Sequence, residues 1–179
     1  DKFKKITLRS NSPESGFEDL VNRINQKLDT TVKLNLNDTH AVLMVPSGDM
    51  HNVLVLLKTI APSFSIMSLG NSIEIYKETG LPAEVANRFS LQTKEGTHGI
   101  GHTRMATESA VNTMGAHPYS TGLDQCLVHN GSLSNHNNLR RELTRNGVNL
   151  NTDNDSEVAA AYLTHQMKLG ASLESALDN

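Results

Sequence analysis

Gly99-Ile-Gly101-His102-Thr103-Arg104-Met105-Ala106-Thr107 opens a stretch unlike the rest of the chain, and Val128-His129-Asn130-Gly131 closes it. Between Gly96 and Gly131 the sequence is dense in Gly, His, Thr and Asn and poor in large apolar side chains. That is the composition of loops that form a site, not of evenly packed scaffold. The first piece puts the Arg104 guanidinium at a strand end, with the Thr107 hydroxyl three residues on. A guanidinium is a planar fork that takes a carboxylate with two hydrogen bonds. The closing piece sets the Asn130 amide beside Gly131, directly after an apolar strand. Its side-chain N–H and the following backbone N–H can converge on one oxygen, and glycine lets a ligand come close to the backbone. Ala116-His117-Pro118 lies between them, and Thr152-Asp153-Asn154-Asp155-Ser156-Glu157 follows. The latter places a carboxylate near a helix start, where it can hold an ammonium. Carboxylate clamp, oxyanion donors and ammonium acceptor together describe a site for a free α-amino acid with a reactive side-chain carbonyl.

Periodicity organises the flanks. Ser134 is a candidate N-cap for a helix through Asn146, with Gly147 past its end. Asp155 opens another through Leu169, capped by Asp153 or Asp155, and Ser172 to Asn179 reads as the start of a third. Upstream, Phe3 to Leu8 alternates like an edge strand, and Phe17, Leu20, Val21, Ile24 and Leu28 form the apolar stripe of an amphipathic helix. Val32 to Leu36 alternates again, Ala41 to Val45 is a continuous apolar strand, and His51 to Ile60 reads as a buried helix. Phe64 to Leu69 and Ile73 to Tyr76 flank Gly70-Asn71, a hairpin signal, and Pro82 to Phe89 suits a short helix. The first half is α+β scaffold and proposes no chemistry.

Composition narrows the function. The chain has 179 residues and a formal net charge of −3, which fits one domain or most of one and lacks the basic excess of a nucleic-acid binder. No apolar run approaches the ~18 residues that a membrane span needs. Cys126 is the one cysteine, so an internal disulfide framework, a four-cysteine zinc site and an iron–sulfur cluster are excluded. Nothing argues for secretion, and the expected compartment is the cytoplasm.

In their order, the four pieces resemble the class II (N-terminal nucleophile) glutamine amidotransferase domain, found in glucosamine-6-phosphate synthase, amidophosphoribosyltransferase and glutamate synthases. The resemblance covers Gly96 to Leu169; residues 1–95 match only as generic scaffold. It implies an α+β, four-layer αββα Ntn-hydrolase sandwich, of which residues 1–179 form a part incomplete at both ends. Carried over, Arg104 binds the α-carboxylate of glutamine with help from Thr107, and Asp155 holds the α-ammonium. The Asn130 side chain and the Gly131 N–H form the oxyanion hole, and His102, His117 and Pro118 shape the pocket. The implied activity is glutamine hydrolysis to glutamate and ammonia, with the ammonia passed to a synthase domain or subunit in a hetero-oligomer.

The family's nucleophile is an N-terminal cysteine whose α-amine, titrating near ~7.7, is the base. This sequence starts with Asp1 and also lacks the family's early Arg-Gly-Pro-Asp-like stretch. The simplest reading is that the chain begins after the first part of the domain and is inactive alone. A member that has lost its nucleophile and binds glutamine or glutamate as a regulatory or assembly subunit is the alternative. Met105 stands where many members have Trp, and Glu108-Ser109 where many have His-Gly. Met105 to Ser109 and Asp124-Gln-Cys126 are similar to the amidotransferase subunits of split glutamate synthase-like enzymes, including N-methylglutamate synthase. On that reading, FMN and iron–sulfur clusters belong to partner subunits, and this chain carries no cofactor.

Single residues have plainer readings. Cys126, in an apolar strand, reads as packing and not as a nucleophile. His98 and His102 are four apart, but Gly-Ile-Gly between them argues against a helix that would aim both at one metal ion. Arg140 and Arg141 read as a solvated helix face.

Overall fold

The computed structural model describes residues 2–11, 16–103 and 111–178. The chain divides into two compact units, Asp1–Tyr76 with Ala86–Leu91, and Lys77–Val85 with Gln92–Asn179. The first is built from β1 (Phe3–Arg9), α1 (Phe17–Leu28), β2 (Lys33–Asn37), β3 (His40–Pro46), α2 (Met50–Ile60) and β4 (Ser65–Gly70). These make one four-stranded sheet in the order β2-β3-β1-β4, with antiparallel neighbours throughout. The βαββαβ order with this pairing is the ferredoxin-like, split-βαβ arrangement.

The alternation of side chains along the strands decides how this unit closes. Ile6 pairs with Leu43 and Leu8 with Ala41. Ile6, Leu8, Ala41, Leu43 and Val45 join Phe17, Leu20, Val21 and Ile24 of α1 and Met50, Val53 and Leu57 of α2 in one core. The apolar stripe read from the sequence is thus the face that α1 buries. β1 is not the edge strand its alternation suggested; it lies between β3 and β4. Its polar residues are covered because they find partners: Thr7 is 0% exposed and accepts from the Ser68 hydroxyl at 2.9 Å, and Lys5 Nζ meets Glu74 at 2.6 Å. The hairpin expected across Gly70-Asn71 does not form, since residues 73–76 carry no strand. Glu74 is held by Lys5 and by the Tyr76 hydroxyl, while the Tyr76 ring packs with His40 and Phe89. Side-chain partners across the unit replace the ladder bonds of a hairpin. Burial and the neighbouring Glu74 carboxylate push the Tyr76 phenol far above its ordinary pKa.

After α3 (Pro82–Arg88), the α-helices among the described residues are α4 (His136–Arg145), α5 (Asp155–Lys168) and α6 (Leu173–Asp178). Leu143, Val158 and Ala161 form the small core of the second unit, with Leu139, Val148, Leu150 and Tyr162 against it. Gly147, at φ 78°, takes the left-handed position after α4 that lets Val148 N–H reach the Leu143 carbonyl at 3.0 Å. The sheet and the helices make the chain α+β. Among the described residues no helix is long and apolar enough to cross a membrane.

Candidate functional site

α5 organises the site. Asn154 precedes it in an extended conformation, and its side-chain oxygen accepts from Ser156 N–H at 2.8 Å. Asn154, not Asp153 or Asp155, is therefore the cap, which leaves the Asp155 carboxylate for other partners. Glu157, two residues on and only 5% exposed, reaches back to accept from Asn151 N–H at 2.8 Å, Thr152 N–H at 2.7 Å and the Thr152 hydroxyl at 2.8 Å. Arg140 closes the same turn from α4, donating to the Thr152 carbonyl at 2.8 Å and the Asn154 carbonyl at 3.3 Å. It is not the solvated residue its place on a polar helix suggested. Helix start and turn are thus fixed by side chains before any ligand is present.

The Asn130-Gly131 loop rests on this first turn at two points. On one side, His129 Nδ1 lies 3.2 Å from the Ser156 hydroxyl. On the other, Leu133 N–H donates to Asp155 Oδ2 at 2.8 Å. Asn130 and Gly131 between them are exposed. A Cβ at Gly131 would lie 2.9 Å from His129 Nε2, so glycine is what allows the imidazole to lie against the backbone here. Asp155 is half-buried. Burial alone would raise its pKa, but the Leu133 N–H, the neighbouring His129 and the Ser156 hydroxyl and N–H together hold it below the usual carboxylate range. An ionised carboxylate therefore sits one short loop away from an open amide and an open backbone N–H.

Farther back, α5 also holds the loop before Asn130. Thr164 joins the Thr121 hydroxyl at 2.7 Å and donates to Gln125 at 3.0 Å, and Tyr119 and Leu127 exchange backbone bonds. Gly122 fits under Thr164 and Gln125, where a Cβ would lie 2.4 Å from the Gln125 side-chain oxygen. Cys126, in this loop, is half-buried, and burial pushes its thiol up.

His102 and His117 form a second group, with ring centroids 4.4 Å apart. His102 Nδ1 is buried without a hydrogen-bond partner among the described residues. His117, followed by a cis peptide to Pro118, packs edge-on against Tyr119 at 5.1 Å. Lys77 fixes this loop. Only 6% exposed, its ammonium donates to the carbonyls of Met114, Ala116 and Pro118 at 3.2, 2.8 and 3.3 Å and lies 4.7 Å above the Tyr119 ring. Sequence reasoning missed Lys77 and Glu157, because nothing local marks a lysine or a glutamate that turns inward. Arg104 and Thr107 lie outside the described residues. No group of three or more His, Cys, Asp or Glu side chains among the described residues is placed to hold a metal ion.

Residues 89–177 match a family described as a glutamine amidotransferase domain. The glutamine amidotransferase-like protein GlxB of Rhizobium meliloti is 54% identical over 173 residues, 97% of this chain and 57% of that protein. A glutamine–fructose-6-phosphate aminotransferase (isomerizing) of Bradyrhizobium diazoefficiens is 42% identical over 108 residues, 60% of this chain and 18% of that protein. Its counterpart from Idiomarina loihiensis is 33% identical over 113 residues, 63% of this chain and 18% of that protein. The chain thus spans little more than half of the first relative and under a fifth of the other two. No solved structure matches it. By this match and these relatives, residues 89–177 are similar to a glutamine amidotransferase domain.

Proposed function

We propose that this chain is part of a glutamine amidotransferase that hydrolyses glutamine and hands the ammonia to an acceptor site. The observation that carries the reading is the Asn130-Gly131 pair suspended between two contacts to the first turn of α5, with the ionised Asp155 in that turn. Asp155 binds the α-ammonium of glutamine, and Arg104 with Thr107 binds the α-carboxylate. The side-chain amide then lies at Asn130 and Gly131. A cysteine thiolate attacks its carbon, and the negative charge that moves onto the amide oxygen meets the Asn130 N–H and the Gly131 N–H. As the C–N bond breaks, nitrogen takes a proton and leaves as ammonia, and water hydrolyses the thioester to glutamate. His102 and His117 shape the pocket wall.

Cys126 is not that nucleophile. Its thiol is half-buried and its pKa is raised, the opposite of what activates a catalytic thiol. For the whole domain, the four-layer αββα sandwich is the architecture that similarity to glutamine amidotransferases implies, with Gly96 to Leu169 as its site-forming part. The acceptor is a glutamate synthase-like or N-methylglutamate synthase-like domain or subunit in a cytoplasmic hetero-oligomer. FMN and iron–sulfur clusters reside on that partner.

The test is glutamine hydrolysis by the intact protein and its Asn130→Asp variant. Losing one oxyanion donor costs roughly 10²–10³ in turnover. We expect kcat to fall on that scale with little change in the Michaelis constant. No hydrolysis by the intact protein, or a change confined to the Michaelis constant, overturns the reading.

A further inference from the structure

The two contacts that bracket Asn130-Gly131 differ in kind. Leu133 N–H to Asp155 is a backbone bond to the anchoring carboxylate itself. The other side runs through side chains: the Ser156 hydroxyl donates to Asp155 Oδ1 at 3.3 Å, and its oxygen faces His129 Nδ1 at 3.2 Å. With the hydroxyl hydrogen directed at Asp155, the oxygen accepts from Nδ1–H. That order of donors fixes which nitrogen of a neutral His129 carries the proton. The other edge of the ring, Nε2, occupies the space beside Gly131 where a Cβ would stand, 2.9 Å from that position. Ser156 is buried, so water does not compete for its hydroxyl as it would at a surface.

We propose that Ser156 and His129 are positioning residues that link the ammonium-binding carboxylate of Asp155 to the Gly131 oxyanion donor. Polar contacts run from Asp155 Oδ1 through the Ser156 hydroxyl to the His129 imidazole, and the far edge of that ring fills the space where a Gly131 side chain would stand. Neither residue touches the reacting carbonyl; each sets the direction of a donor that does. An amino acid bound at its α-end finds the donors already directed at its side-chain carbonyl. This inference rests on the amidotransferase reading of the site, and its test separates the two.

Two measurements decide it. Nitrogen-15 NMR of this chain reports the His129 tautomer and the Gly131 amide without any turnover. The expected result is Nδ1–H in the neutral ring, with the Gly131 amide resonance moving in Ser156→Ala. An Nε2–H tautomer, or a Gly131 resonance that Ser156→Ala leaves in place, overturns the proposal whether or not the protein hydrolyses glutamine. In the intact enzyme, a misdirected donor should lower kcat about 10- to 100-fold while the Michaelis constant holds, since geometry and not substrate binding is lost. His129→Ala should lower kcat similarly, and Ser156→Ala combined with it should cost no more than His129→Ala alone, because both act through one ring. Additive losses mean that the two act separately, and the proposal fails. If Ser156→Ala does not fold, Gly131→Ala gives the same decision. Its new methyl collides with the His129 ring, so removing that ring should recover part of the kcat lost; no recovery counts against the chain of contacts. If the intact protein hydrolyses no glutamine while the NMR results hold, the functional reading falls and the positioning link stands.

Discussion

Glu157 offers the sharpest test of how the site is held. Its carboxylate accepts three hydrogen bonds, from Asn151 N–H, Thr152 N–H and the Thr152 hydroxyl, and is almost fully buried. Hydrogen bonds to a charged acceptor contribute about 1.5–3 kcal/mol each, and a buried donor left without a partner costs about 1–3 kcal/mol. Asn151 is exposed and Thr152 half-buried, so water recovers the first bond and part of the others. Glu157→Ala should therefore cost about 2–4 kcal/mol, counting the two Thr152 bonds in part and discounting Asn151. Glu157→Gln keeps one carbonyl oxygen but turns an N–H2 toward a donor, and should cost about 1–2 kcal/mol. Urea unfolding followed by amide hydrogen exchange in α5 measures both. With a slope of about 2 kcal/mol per molar, the alanine variant moves the midpoint by about 1–2 M. A glutamine variant as stable as the parent would show that an uncharged acceptor serves equally. An alanine variant that loses under about 0.5 kcal/mol would show that Glu157 does not hold the turn.

Other perturbations probe separate parts. Leu143 is 2% exposed in the core shared by α4 and α5, so Leu143→Ala should cost about 2–5 kcal/mol in the same assay. Asp155 has its pKa lowered by folding, so its contribution is present above the unfolded value of about 3.9 and is lost as pH falls through the folded value. The stability gap between the parent and Asp155→Asn should therefore close as pH drops below about 4; a gap that widens with acid refutes the assignment. Arg104→Lys should weaken glutamine binding strongly, because a point charge cannot replace a two-pronged donor; unchanged affinity by calorimetry removes Arg104 from the carboxylate clamp.

How far the sequence foretold this structure depends on the range over which each feature is decided. α1 spans Phe17–Leu28, where the apolar stripe of Phe17, Leu20, Val21, Ile24 and Leu28 placed it, because an amphipathic period is a property of neighbouring residues. β1 was legible as a strand, but its place inside the sheet was not. Alternation says that one face is polar, not that Thr7 will meet Ser68, sixty-one positions away, and be buried. Ile73 to Tyr76 looked like a strand because its composition suits one; Lys5, His40 and Phe89 supply the partners that divert it. In the site, the Asn130-Gly131 and Asp155 pieces were visible as motifs, yet their connection was hidden. It runs through His129, Ser156 and the Leu133 N–H, which carry no signature of their own. Lys77 and Arg140 were missed for the same reason, since each serves carbonyls, and every residue has a carbonyl.

Asp155 is at once a brace of the loop and the proposed anchor for substrate, and the lone pairs allow both. An ionised carboxylate offers about four acceptor positions. Leu133 N–H takes one on Oδ2, the Ser156 hydroxyl takes one on Oδ1 and the Ser156 N–H also acts on the carboxylate, which leaves at least one for an ammonium. Its place in the first turn of α5 keeps it near the positive end of the helix dipole, which adds to its stability as an anion. A site built this way need not be emptied of its internal bonds before substrate enters. It also means that Asp155→Ala removes the anchor and the brace together, while Asp155→Asn keeps a carbonyl for Leu133 N–H and removes the charge alone. The asparagine variant should thus retain the loop and lose the amino acid. A variant that instead frees the Gly131 amide to exchange like an unfolded residue would show that the charge, and not the hydrogen-bonding oxygen, is what holds the Asn130-Gly131 loop to α5.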